Sequence, residues 1–551
     1  MLYMSFANYV MIAASLLISN VLVADCPTSN ITFTTQAQVD SFRINYPNCT
    51  TLEHAFFLQG ADITNMDSLI SLERIEDAFS ISATGITDMS GLDNVTFITE
   101  AFIFNNNSMT SLAGWENIER FDLLWLQGNT VLVSLDHLTS LTGITRRLIL
   151  STMPSLTDLR GLEGVTCIGA GASTDRFQIN DLENLTSLDG LDNLQEIQGN
   201  LQITLNEKLA DFSGLASLRT IEGIVTVRGN TSLASMDGLS SLDICGEISL
   251  EENPLINDLE GLENVTSIGR LTITNSMAFI SLQGLGPAVV IDDISFRNIG
   301  FANLQGLENI TQIQNLEILN NSALTDLTGL SNLSTVSTFT ITNNDNLGSL
   351  AGIPNLTMIQ DEMVISGNAK LTSIFDLGLL TIVPSTGISI VDNPMLSLCA
   401  TSGICALINL DSSLVTTHNN APLCMSTADI LTVCGCPTAN AYYPDMDGDG
   451  FGDSDAAAVA FCPDQVPSNQ VMNNIDCSDT NPEDDILIIS DTLATSQEHR
   501  GITELISSNV LESGHTFLFQ AGNSVTLIGA FEVNMGTVLE VQIDSCGTVG
   551  Q

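Results

Sequence analysis

The sequence predicts an all-β solenoid, a stack of parallel coils, and three observations predict it. A phrase close to L-x-x-L-x-G-L-x-N-L-x-x-I returns from about Thr51 to Asn393. Its glycines, from Gly91 and Gly114 through Gly190, Gly214 and Gly238 to Gly352, are separated by steps of mostly 22 to 24 residues. Between phrases lie short runs that alternate apolar and polar residues, such as Leu201-Gln202-Ile203-Thr204-Leu205 and Leu271-Thr272-Ile273-Thr274. One coil of this kind cannot bury its own apolar side, whereas stacked coils bury a shared strip of Leu and Ile. Alternation on a parallel sheet turns the Leu and Ile inward and leaves Gln and Thr facing solvent.

Clear copies are Leu185–Ile197, Leu259–Ile268 and Leu304–Ile313. His137 takes the glycine position of a degenerate copy, and an insertion around Gly169-Ala170-Gly171-Ala172 lengthens one step. Ser68 and Asp376 mark weaker terminal copies, which brings the count to about fourteen coils. A period near 23 lies within the leucine-rich-repeat range. Asn230, Asn253, Asn343 and Asn368 follow the strand runs and are expected to stack, since Asn satisfies turn backbone and tolerates left-handed conformations. The N-x-S/T sequons at Asn94, Asn184, Asn264, Asn309 and Asn355 are read first as products of the repeat.

The chain of 551 residues is too long for one ordinary core and fits an extended array. Aromatic residues are 5%, so Leu, Ile and Val must build the interior. Acidic side chains outnumber basic ones 64 to 14, for a formal charge of -50. Such a surface repels nucleic acid and anionic membranes and favours divalent cations. Residues 1–24 are expected to be a signal peptide, with an apolar run from Val10 to Val23 and a small-residue site at Leu22-Val23-Ala24. No later run is long and apolar enough to span a bilayer. The mature chain is therefore expected to be secreted or at the cell surface, monomeric, without a membrane span. Cysteines cluster near the ends of the repeat, at Cys26 and Cys49 and at Cys399, Cys405, Cys424 and Cys434, with Cys436, Cys462, Cys477 and Cys546 beyond. The first six are disulfide candidates whose pairing spacing leaves open.

The repeat residues resemble the receptor L-domain type of leucine-rich repeat, which implies a right-handed parallel β-helix, and the longer arrays of marine Bacteroidetes surface proteins. The resemblance covers about residues 51–395. Residues 25–50 resemble an N-terminal cap and residues 396–436 a cysteine-rich C-terminal cap. Caps are expected because an open end exposes apolar strip and unpaired strand edge.

Residues 437–485 are expected to bind calcium. Asp445, Asp447 and Asp449 fit positions one, three and five of a tight loop, and Gly450 permits its turn. Phe451 offers a carbonyl and Asp453 a further carboxylate, supplying the hard oxygens calcium prefers. Ala456 stands where a bidentate acid would be usual, so Asp476 or Asp479 is the candidate to complete the shell. The run resembles thrombospondin type 3 calcium loops, with Ser478 departing from the D-C-D-D of bacterial versions. Residues 486–551 read as a small β-rich module, similar to C-terminal modules of secreted Bacteroidetes proteins.

Function is expected to be binding rather than catalysis. The histidines His54, His137, His418, His499 and His515 are scattered, and no nucleophile or zinc motif accompanies them. The acids recur at equivalent positions (Asp189, Glu260, Asp326), as turns would. A catalytic site is expected to break the repeat, and only Gly169–Arg176 does. The ligand is an unidentified extracellular protein or glycan; the alternatives are a polysaccharide-acting enzyme or a passive stalk. Trp115, Trp125, Phe102 and Phe104 lie in neighbouring coils and are expected to be core. If instead they form an exposed aromatic patch on the sheet face, recognition is favoured, whereas a uniformly polar face favours the stalk.

Overall fold

The computed structural model describes residues 26–287, 289–380, 386–434 and 440–445, and beyond them short strands between 459 and 543. It is nearly all β, a parallel solenoid of about 17 turns. The chain divides into two compact units, residues 1–155 with 160–165, and residues 156–159 with 166–551.

In the first unit the strands Phe56–Gln59, Arg74–Ser82, Phe97–Phe104, Arg120–Gln127 and Gly143–Ser151 pair in parallel, each with the next. Inward steps align as Phe79, Ala101, Leu124 and Leu148, and again as Ile81, Ile103, Leu126 and Leu150, all without exposed surface. Each such Leu or Ile stabilises the fold by roughly 2 kcal/mol. The second unit repeats the pattern from Arg176–Asn180 to Met358–Ser366.

Fourteen copies of the phrase account for fewer turns than the solenoid has. The remaining strands are Ile31–Phe33, Ile388–Val391 and Val415–His418, each paired in register with a neighbouring turn. Their return legs are helical: Gln36–Asp40 and Phe42–Asn45 after the first, Ser402–Leu410 and Thr427–Val433 after the others. Without a glycine phrase these turns leave no periodic signal.

The turn after each strand is where coils lock together. One residue takes a left-handed φ (Asn105 at 55°, Leu205 at 58°, Asn343 at 56°), and the next is typically a fully buried Asn. The Asn206 N–H donates to Asn230 Oδ1 at 3.0 Å, and the Asn230 N–H to Asn253 Oδ1 at 3.1 Å. Asn230 Nδ2 returns a bond to the Ile203 carbonyl at 2.9 Å. A second stretch runs through Asn321, Asn344, Asn368, Asn393 and Asn420. Asn343, expected in this stack, stands one step outside it, exposed and bonded to Asn320; Asn344 holds the buried place.

The G-L step has its own logic. Gly161 has φ 108°, and a Cβ there would lie 1.9 Å from the Leu135 carbonyl oxygen of the previous coil. An acid two residues on accepts the glycine N–H: Asp93 for Gly91, Glu116 for Gly114 and Glu163 for Gly161, each at 2.8 Å. The sequon residues Asn94, Asn264 and Asn355 donate to the Ile70, Ser240 and Ser331 carbonyls one coil back. Asn184 departs from this set: it sits in the turn after a strand and accepts from Lys208 Nζ.

Asn230→Ala is expected to destabilise by about 3 kcal/mol, because it orphans a buried N–H and a buried carbonyl. Gly161→Ala is expected to be similarly damaging, through strain and clash, at about 3 kcal/mol. Asn343→Ala should change stability by less than about 1 kcal/mol. Urea unfolding followed by circular dichroism, with hydrogen exchange to localise the loss, separates these outcomes.

Candidate binding surface on the outward sheet face

Strand alternation decides where the aromatic side chains of the first unit point. Ile103 is inward, so Phe102 and Phe104 take outward steps; Leu124 and Leu126 are inward, so Trp125 is outward. Register places Phe57, Ser80, Phe102, Trp125 and Ile149 in one row across five strands. Phe104 and Trp125 meet edge to face at 5.2 Å between centroids, Phe102 and Trp125 at 6.3 Å, and Phe102 and Phe104 at 5.8 Å. All three rings are half-buried, and Ile149 at the end of the row is 2% exposed. The Trp125 Nε1 is buried without a hydrogen-bond acceptor among the described residues. The expectation that these four aromatics are core holds for Trp115 alone, which is fully buried against Phe121.

Polar groups frame the rings. Arg146 Nη1 lies 2.7 Å from Glu100 Oε1, and the Thr145 hydroxyl donates to Asp122 at 2.6 Å. Along the same strands, Arg74 and Arg120 both pack on the Phe97 ring, at 4.7 and 5.1 Å. The sequence reading missed Phe57, Phe97, Ile149 and these arginines. Parity against the inward Leu and Ile finds Phe57, Phe97, Ile149, Arg74 and Arg120, whereas Arg146 sits in the irregular stretch between Ile144 and Leu148, which parity does not read.

The second unit carries a shallow furrow of about 310 Å³, with Glu222, Glu247, Asp292 and Asp293 beside Arg270. Arg270 Nη2 pairs with Asp293 Oδ2 at 2.7 Å. Its floor is glycine because coils pass too closely for a side chain: a Cβ on Gly246 would sit 2.6 Å from the Glu222 carbonyl oxygen. The insertion near Gly169–Arg176 closes on itself. Asp175, 1% exposed, accepts the Ala170 and Ala172 N–H groups at 2.9 and 3.1 Å.

No family model matches this chain, and no curated protein matches it in sequence.

Among the described residues three disulfides join Cys26 to Cys49, Cys399 to Cys424 and Cys405 to Cys434. Their separations of 23, 25 and 29 residues are close to one coil, so each staples successive stretches of the stack, contributing about 3 to 4 kcal/mol. Of the calcium candidates, Asp445 is described and is 5% exposed. It follows Tyr443 and Pro444; Tyr443 packs against Leu398, as Phe375 and Leu423 do, and burial pushes its phenol up. Asp447, Asp449, Phe451, Asp453, Asp476 and Asp479 lie outside the described residues, as do residues 1–24. Among the described residues no three His, Cys, Asp or Glu side chains form a metal-holding group, and no helix is long and apolar enough to cross a membrane.

The unpaired cysteines among the described residues, Cys167 and Cys245, are poor nucleophiles. Burial pushes the Cys245 thiol up to about 12. Burial also raises Cys167, aided by Glu196 and Glu222. A reactive thiol needs the opposite shift. At pH 8, iodoacetamide should alkylate native Cys245 on the order of 1,000-fold more slowly than a free thiol. Cys167 should react ahead of it, and both should react at once in denaturant. Peptide mass mapping reads this directly; fast labelling of native Cys245 would contradict its burial.

Proposed function

We propose that this chain is an extracellular or cell-surface binding protein whose solenoid presents a recognition surface for a protein or glycan and is stabilised by calcium. The observation that carries the reading is the row of aromatic side chains on the outward face of the first unit. A passive spacer has no use for Trp125, Phe102 and Phe104 at outward steps, where Thr, Ser and Gln stand in most coils. Aromatic residues in contact with one another and framed by arginines are the usual energetic centres of binding surfaces. The disulfides support an oxidising compartment.

The reading includes no catalysis. Along the furrow Glu247, Arg270 and Asp293 align across three successive coils, with Arg270 tied to Asp293, and Asp175 serves its own loop. For calcium, the support is the alternation of carboxylates and glycine from Asp445 to Asp453, a donor set of hard oxygens. When bound, the ion would neutralise part of a strongly acidic segment.

Calorimetric titration of calcium is expected to show stoichiometric heat, with affinity at least tenfold weaker in Asp447→Ala, Asp449→Ala. Heat that persists unchanged in that variant, or none in the native chain, removes calcium from the proposal. Trp125→Ala with Phe102→Ala should abolish capture of the ligand by immobilised protein without lowering the melting temperature. Capture that survives this variant places recognition elsewhere.

A further inference from the structure

The aromatic face differs from the rest of the chain in charge as well as in rings. On the strands Arg74–Ser82, Phe97–Phe104, Arg120–Gln127 and Gly143–Ser151, Arg74, Arg120, Arg146 and Arg147 stand against Glu76, Asp77, Glu100 and Asp122. This face is balanced, in a chain where acids outnumber bases 64 to 14. The strands of the furrow, by contrast, carry Glu222, Glu247, Glu251, Asp292 and Asp293 against Arg228, Arg270 and Arg297. A ligand that settles on the aromatic face is selected for neither charge.

Size narrows the occupant further. Strands of a sheet lie about 4.8 Å apart, so Phe102 and Trp125 present adjoining rings with Phe104 beside them, and buried Ile149 closes the row. A stable protein interface needs about 800 Å² on each side with a broad apolar centre. Three half-buried rings, packed mostly on one another, fall well short of that. They are the right size for a few sugar rings, whose C–H faces are apolar and whose edges carry hydroxyls. Groups that bond hydroxyls surround the rings: Glu100 and Arg146 at one side, Asp122 and Thr145 beside them, and Gln127 in register with Phe104. The Trp125 indole N–H, buried without an acceptor, gains one if the ring turns toward a ligand oxygen.

We propose that this face binds a neutral glycan, with sugar rings laid on Trp125 and Phe102 and hydroxyls bonded to Glu100, Arg146 and Gln127. The proposal rests on the reading of this face as the recognition surface and names its ligand class. A polymer of identical sugars suits a surface of stacked coils, since ligand and protein both repeat along their length.

The chain has two tryptophans, and Trp115 has no exposed surface, so a collisional quencher such as acrylamide reports on Trp125. The probes are neutral gluco-, manno- and xylo-oligosaccharides of several linkages, with uronic-acid oligomers as the anionic comparison. At least one neutral probe is expected to shield Trp125 saturably and to release heat in calorimetry, while the uronic-acid oligomers do neither. Trp125→Ala with Phe102→Ala should weaken that binding more than tenfold, and Gln127→Ala, which leaves the rings intact, about threefold, at unchanged melting temperature. If no neutral probe shields Trp125, the glycan proposal is overturned. Should a uronic-acid oligomer or a captured protein then bind and be lost in the double variant, the face remains the recognition surface with a different ligand. Ligand capture indifferent to the double variant overturns both readings.

Discussion

Everything in this molecule depends on how one coil hands its unpaired backbone groups to the next. A solenoid turn must reverse direction, and at the turn the sheet hydrogen bonds stop. The buried Asn satisfies the N–H of its counterpart one coil earlier and, through its amide nitrogen, a strand carbonyl. Left without partners in the interior, each such group would cost about 1 to 3 kcal/mol. Because the donor in one coil needs the acceptor in the next, no coil is complete alone. The left-handed residue before each Asn follows from the same demand, since it turns the chain so that the carboxamide enters the stack.

The acidity of the chain has a local origin in part. Asp93, Glu116 and Glu163 stand where a G-L turn needs an acceptor for its glycine N–H, and Asp88 and Asp326 accept backbone N–H groups in neighbouring turns. Asp88 shows the balance within one such turn. Burial alone would raise its carboxyl, yet the hydrogen bonds from Ser90 and Thr87 hold it below the usual range. A repeat that places carboxylates at turn after turn accumulates negative charge without any ligand requiring it. That is why the balanced strands bearing Trp125 stand out.

Much of the fold was legible because the repeat states it many times. Leu and Ile at inward steps, Gly at the tight approach and Asn at the corner each follow from one physical need. The three extra turns were not legible: their return legs are helices such as Ser402–Leu410, whose periodicity differs and whose copies occur once. The aromatic face was misread for a different reason. Alternating positions are compatible with core for Phe102 and Phe104, and it is their parity against the inward Ile103 that places them outside. The furrow was hidden because Glu222, Glu247 and Asp293 stand on three different coils and only lateral stacking brings them together.

The buried asparagines do not run unbroken through the second unit. They stop at Asn253, Ser276 and Ile299 occupy the next two corners, and they resume at Asn321. Within either stretch every coil offers its neighbours the same donor and the same acceptor. A whole coil could therefore be duplicated or deleted there and the seam would close. At Ser276 and Ile299 the neighbours are not interchangeable, so a copy inserted at that seam would meet a mismatched corner. Such an array changes length in units of one coil, and only inside a stretch of like corners, which makes its reach a property that gene duplication adjusts in steps of about 23 residues.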